Sequence, residues 1–130
     1  MKLLLDTHVW LWSALETSKL SAPTRAAILD PANTIHVCAA SIWEVAIKTE
    51  LGKLALPVPL ADFVAAQTGP DVAAVLNITA AHAVAVAGLP MHHRDPFDRL
   101  LVAQAQVEGL TLVTVDDVLR AYGVPILGTA

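Results

Sequence analysis

The sequence predicts an α/β sandwich in which helices cover both faces of a mostly parallel sheet. Short apolar segments rich in β-branched residues alternate along the chain with segments of helical composition. Hydrophobic residues make up 55% of the sequence and charged residues only 15%, so several segments must be buried on more than one side, as the strands of a parallel sheet are. A length of 130 residues suits one domain with one core and is short for two, so residues 1–130 are read as a single domain.

"KLLLD" opens as a short apolar strand, and "VWLWSALE" has the composition of a helix whose tryptophans suit a core or an interface. "APTRAAILD" is the next helix, with Ser21 able to cap it and Pro23 in its first turn. "IHVCAA" reads as a buried strand, followed by the helix "SIWEVAIKTEL", which Gly52 can close. The proline-marked "KLALPVPL" connects to helical "ADFVAAQT", which stops at Gly69 and Pro70. "DVAAVLNI" is a third strand. Thr79 can then cap the helix "AAHAVAVA", and Gly88 with Pro90 ends it. A long helix runs from Pro96 to about Glu108, "LTLVTV" is a fourth strand, "DVLRAY" a short helix and "VPIL" a last strand.

Composition narrows the function. A formal net charge of -4 gives no global basic field, so any nucleic-acid partner must be reached locally rather than through many phosphate contacts. The single cysteine, Cys38, excludes an intrachain disulfide and is expected as a buried, inert thiol. The N-terminus starts like a signal peptide, but Asp6 and His8 interrupt its apolar stretch and no small-x-small cleavage site follows, so a cytoplasmic location is expected. The uncharged run 72–91 is long enough to span a bilayer. Asn77, His82, Gly88 and Pro90 punctuate it, and a strand followed by a helix fits better than a membrane span.

Four carboxylates stand in apolar settings. Asp6 ends the first strand, where a buried carboxylate needs compensation, and it could also cap the helix that follows. Glu44 is the only formally charged residue between Ile35 and Ile47; it could pair with Lys48 one turn on, yet its helix has almost no polar face. Before the long helix, Asp95 as N-cap, Pro96 at the first helical position and Asp98 at the third resemble a capping box. That accounts well for Asp95 and less fully for Asp98, which lies on the side of Leu101, Val102 and Ala105. Asp116 and Asp117 follow the fourth strand; either can cap the next helix, and Asp116, nearer the strand end, is chosen for a site.

In open parallel sheets, ligands bind outside the carboxyl ends of the strands, and the order of segments lets Asp6, Glu44, Asp98 and Asp116 meet there. Carboxylates packed together repel unless a cation neutralises them, and hard oxygen ligands favour Mg²⁺ or Mn²⁺. Such a site does phosphoryl chemistry through its metals, activating water and bearing charge on phosphate oxygens. His8, His92 and His93 could in principle bind zinc, but adjacent histidines rarely point the same way, and surface or hydrogen-bonding roles are preferred. His82 is expected as a helix-face residue. Arg94 and Arg99 could contact a phosphate chain or pair with the nearby aspartates.

"LLLDTHVWLW", "ASIWEVAIK", "LPMHHRDPFDRLLVAQA" and "LVTVDD", in this order over nearly the whole chain, resemble a PIN-domain ribonuclease toxin of the VapC type, from type II toxin-antitoxin systems. The "HHRDPFDRLLVAQA" stretch carries most of the specificity. The resemblance implies a three-layer, PIN-like sandwich and Mg²⁺- or Mn²⁺-dependent endonuclease cleavage of RNA. It puts the family's acidic cluster on Asp6, Glu44 and Asp98, with the more variable fourth position on Asp116. Asp6 and Asp98 are then the principal metal ligands, while Glu44 and Asp116 complete the shell or orient the attacking water. A homodimer is implied, silenced by a small antitoxin whose C-terminal segment covers the acidic groove. Trp10 and Trp12 on the first helix are a place for part of that contact.

Two other readings compete. A Mg²⁺-dependent phosphatase or phosphoacceptor domain also ends its first strand on an aspartate, but "DTH" lacks the second carboxylate of a D-x-D arrangement and no lysine follows the later strands. In a non-enzymatic binding module, the acidic residues would be helix caps alone.

Overall fold

In the computed structural model of the chain, which describes residues 1–128, the first apolar run becomes the central strand β1 (Lys2–Leu5). Leu3, Leu4 and Leu5 are at most 1% exposed, because side chains alternate across a strand and both faces of this one are covered. Leu3 and Leu5 join one core with Trp10, Val45 and Phe63; Leu4 joins the other with Leu101, Val102 and Leu119. The first core is closed by α1 (Thr7–Leu15), α2 (Ala22–Leu29), α3 (Ala39–Glu50) and α4 (Leu60–Gln67). The second is closed by α6 (Pro96–Glu108), with α5 (Ala80–Ala87) packed on it. Three layers result, as expected.

The remaining strands are β2 (Thr34–Cys38), β3 (Ala74–Leu76), β4 (Thr111–Thr114) and β5 (Ile126–Gly128). They form one sheet in the order β3-β2-β1-β4-β5, and every pairing is parallel rather than mostly so. The chain builds outward from β1 through β2 to β3, then returns to lay β4 on the other side of β1. The order therefore reverses between β1 and β4, and a crevice opens at the carboxyl ends of those two strands. In register, Leu5 lies beside Val37 on one side and Val113 on the other, so the residues after β1 and β4 leave the sheet together.

Several boundaries differ from the sequence expectation for local reasons. The first helix begins at Thr7, earlier than "VWLW", because Asp6 serves as its N-cap. The third strand is shorter than "DVAAVLNI". Asp71 and Val72 lie in a tight turn closed by the Gly69 amide on the Ala73 carbonyl (2.8 Å), with Gly69 at φ +127°, a conformation suited to glycine. "DVLRAY" winds as a 3-10 helix (Asp117–Tyr122), and the last strand starts at Ile126 because Pro125 has no amide to give, though its carbonyl accepts from Leu112 (2.9 Å).

His82 corrects another expectation. It is fully buried: its amide donates to the Thr79 hydroxyl, its Nδ1 accepts from the Thr79 amide, and its Nε2 meets Glu108 at 2.9 Å, tying α5 to α6. Cys38 is buried as expected. Among the described residues no helix is long and apolar enough to cross a membrane.

Candidate active site

Asp6, Glu44, Asp98 and Asp116 line one cleft of about 210 Å³ at the β1/β4 crevice, together with Thr7, His8, Asp95 and Val115. Each carboxylate arrives by a different device. Asp6 is 5% exposed at the end of β1, where the Val9 amide donates to its Oδ1 at 2.8 Å. Burial raises its pKa above the usual aspartate value, against the lowering pull of the Thr114 hydroxyl, the Val9 amide and His8, and Glu44 adds to the rise.

Glu44 stands in the second turn of α3. Its Oε1 accepts from the Thr7 hydroxyl at 3.2 Å, and its Oε2 pairs with Lys48 Nζ at 3.0 Å, so the helical ion pair forms and the cleft position is kept as well. The two readings of this residue are compatible, because one carboxylate has lone pairs for both.

Asp95 and Asp98 separate cleanly. Asp95 caps α6, accepting from the Phe97 amide at 2.8 Å. A full capping box would turn the Asp98 side chain back to the Asp95 amide, but that amide donates instead to His93 Nδ1 at 3.0 Å. Asp98 lines the cleft, and its pKa is pushed up to about 7, first by burial and then by Asp95, Asp6 and Asp116, with His93 lowering it. A half-buried carboxyl held up by like charges favours a cation beside it, so the donor chemistry fits a divalent ion with oxygen ligands.

Asp116 accepts from the Val118 amide through Oδ1 (3.0 Å) and meets His93 Nε2 through Oδ2 at 2.7 Å. Asp117, the rival for the fourth position, is 90% exposed and pairs with Arg120 at 3.4 Å. Among the described residues, ligand atoms of His93, Asp98 and Asp116 lie within 4.8 Å of one another; Asp6 and Glu44 share the cleft but stand outside this trio.

His93 is the residue the sequence reading undervalued. Nothing local marks it, since its partner Asp116 is 23 residues away and its own neighbour His92 is exposed against Tyr122. Of the two roles open to Arg99, a phosphate contact or a pair with a nearby aspartate, the ion pair does not form among the described residues. Arg99 is 8% exposed and donates to the carbonyls of Pro90, Val86 and Leu89 and to the Tyr122 hydroxyl, clamping the loop that carries His93. Arg99→Leu would leave those acceptors unmet, and urea unfolding is expected to show a loss of about 2–4 kcal/mol. Arg94 is exposed. Trp10, expected at a partner surface, is 2% exposed and packs edge-on against Phe63, so it belongs to the core; Trp12 is half-buried. The large aromatic left in solvent is Trp43, which packs against Phe97.

Comparison with known proteins bears on this site. The family described as PIN domain matches residues 3–125. "Ribonuclease VapC22" of Mycobacterium tuberculosis is 33% identical over 123 residues, covering 94% of this chain and 92% of that protein. Among solved structures, VapBC2 from Rickettsia felis, bound to a DNA fragment from its promoter, matches with a TM-score of 0.67 and 14% identity over 100% of both chains. FitAcB from Neisseria gonorrhoeae matches with a TM-score of 0.69 and 19% identity over 96% of each chain.

Proposed function

Because the chain belongs to the PIN domain family, and within it to the VapC type, we propose that it is the ribonuclease toxin of a type II toxin-antitoxin pair and cleaves RNA with a bound Mg²⁺ or Mn²⁺. The observation that carries this reading is the convergence of Asp6, Glu44, Asp98 and Asp116, from four separate segments, on one cleft at the switch point of the sheet. Asp6 and Asp98 are the principal ligands in this proposal, and Glu44 and Asp116 complete the shell or orient water. When bound, the cation lowers the pKa of water and takes up charge on the phosphate oxygens.

The chain's own groups prepare that step. The Val9 amide fixes Asp6, the Thr7 hydroxyl and Lys48 fix Glu44, and the Val118 amide fixes Asp116, so the carboxylates need little rearrangement. With a formal net charge of -4 and an acidic cleft, phosphate contact falls to local groups such as exposed Arg94. The antitoxin partner is supported by the VapBC2 and FitAcB structures among the fold neighbours. In this proposal its C-terminal segment covers the acidic cleft of a cytoplasmic homodimer, and its apolar contact on α1 uses Trp12 rather than the buried Trp10.

The test is incubation of the purified chain with a mixed RNA pool, with Mg²⁺ and with EDTA, beside Asp98→Asn. Cleavage is expected with Mg²⁺ alone and is lost in the variant. If wild type and variant are equally inert and Mg²⁺ gives no thermal stabilisation, the carboxylates hold no metal and the nuclease reading is wrong.

A further inference from the structure

His93 stands among the carboxylates, close enough to be taken for a metal ligand. Its hydrogen bonds argue otherwise. The Asp95 backbone amide, which can only donate, points at His93 Nδ1 from 3.0 Å. A neutral imidazole carries one proton, and the nitrogen that accepts an amide is not the one that holds it. The proton therefore sits on Nε2, the nitrogen facing Asp116 Oδ2 at 2.7 Å and Asp98 Oδ2 at 3.4 Å. An N–H has no lone pair for a metal.

We infer that His93 is a positioning residue: its Nε2–H holds Asp116 Oδ2 in place, and a cation in the cleft takes oxygen ligands without the imidazole. This rests on the metal reading above and goes beyond it by giving His93 a role. Asp116 is then held at both oxygens, by the Val118 amide on Oδ1 and by His93 on Oδ2, which leaves its remaining lone pairs for the cleft. The imidazole is itself fixed from behind. The His93 amide donates to the Tyr122 hydroxyl at 2.9 Å, and Arg99 Nη1 donates to the same oxygen at 3.3 Å. The line from buried Arg99 through Tyr122 and His93 to Asp116 connects the core beneath α6 to one wall of the cleft. Orienting partners of this kind are the usual support of a ligating carboxylate.

The experiment is Mn²⁺ binding to the metal-free full chain, followed by paramagnetic resonance of the free and bound ion, for wild type, His93→Ala and His93→Gln. A glutamine amide nitrogen can reach where Nε2 stood and donate to Asp116. Wild type is expected to bind Mn²⁺ without the coupling of a directly bound nitrogen. His93→Ala should weaken binding roughly 10- to 100-fold, and His93→Gln should recover most of it. A coordinated-nitrogen signal in wild type, unchanged affinity in His93→Ala, or a glutamine variant as weak as alanine would each overturn the assignment. If His93→Ala does not fold, the glutamine variant and the nitrogen signal still decide. Wild type that binds no Mn²⁺ would sink the metal reading itself, an outcome distinct from the failures confined to His93.

Discussion

Asp6→Asn is expected to cut Mg²⁺-dependent RNA cleavage roughly a thousandfold while leaving the metal-free fold at least as stable at neutral pH. In the proposed metal site the loss follows from removing a charged ligand, a change worth about several kcal/mol of transition-state stabilisation. The retained fold follows from the cap. Asparagine is as good an N-cap as aspartate, so the 2.8 Å bond from the Val9 amide survives. It also removes a buried carboxylate whose raised pKa marks an unfavourable charge, so the variant loses a strain rather than a support. Single-turnover cleavage rates and thermal unfolding of the same preparation check both halves. Cleavage at the wild-type rate would remove Asp6 from the metal site, and an unfolded variant would make structure its main role.

Metal-free protein should be more stable at pH 4.5 than at pH 7.5 by an amount that Asp98 controls. Burial and three neighbouring carboxylates raise Asp98 from 3.8 to about 7, so between those values the folded chain keeps a proton that the unfolded chain has released. Stability is therefore fully present below the lower value and is lost as pH rises through the upper one. A rise of this size is nominally about 4 kcal/mol. Solvent at this carboxyl, whose side chain is 25% exposed, screens part of it and leaves about 2 kcal/mol. Urea unfolding of wild type and Asp98→Asn at both pH values isolates the effect, since the variant lacks the titrating group. Mg²⁺ at pH 7.5 should restore the loss in wild type by binding the folded state. Equal pH slopes in the two proteins would show that Asp98 is not held up by its neighbours.

The layered fold was readable because short apolar runs such as β1 alternate with helical segments in a chain rich in hydrophobic residues, and the burial of Leu3, Leu4 and Leu5 agrees with that reading. The acidic residues were readable for a related reason. A lone charge such as Glu44 inside an apolar helix, or Asp6 after an apolar strand, conflicts with local burial and so points to something outside its own segment. Asp98 needed more, since its sequence setting matches a capping box, and only the diversion of the Asp95 amide to His93 shows why the box stays half-made. Arg99 and His82 were misjudged for the opposite reason. Polar residues in a sequence default to the surface, and what buries them is a set of carbonyls in the preceding helix and loop, or a glutamate at the far end of the next helix, outside the residue's own turn. The length of β3 was hidden similarly: it ends at Leu76 opposite Cys38, where its one neighbour ends, and it starts late because of the turn at Asp71 and Val72.

The place of β1 between β2 and β4 also sets a schedule. Strand β1 is made before the strands it pairs with, yet the pairing of Leu3 with Thr111 waits for 108 further residues to be synthesised. Asp6 and Glu44 leave the ribosome early, while Asp98 and Asp116 come late, separated from Glu44 by several seconds of translation at about 5–20 residues per second. Until β4 docks beside β1, the cleft has no second wall and the carboxylates have nothing to converge on. Whatever chemistry the cleft performs therefore has to wait for β4 to take its place beside β1.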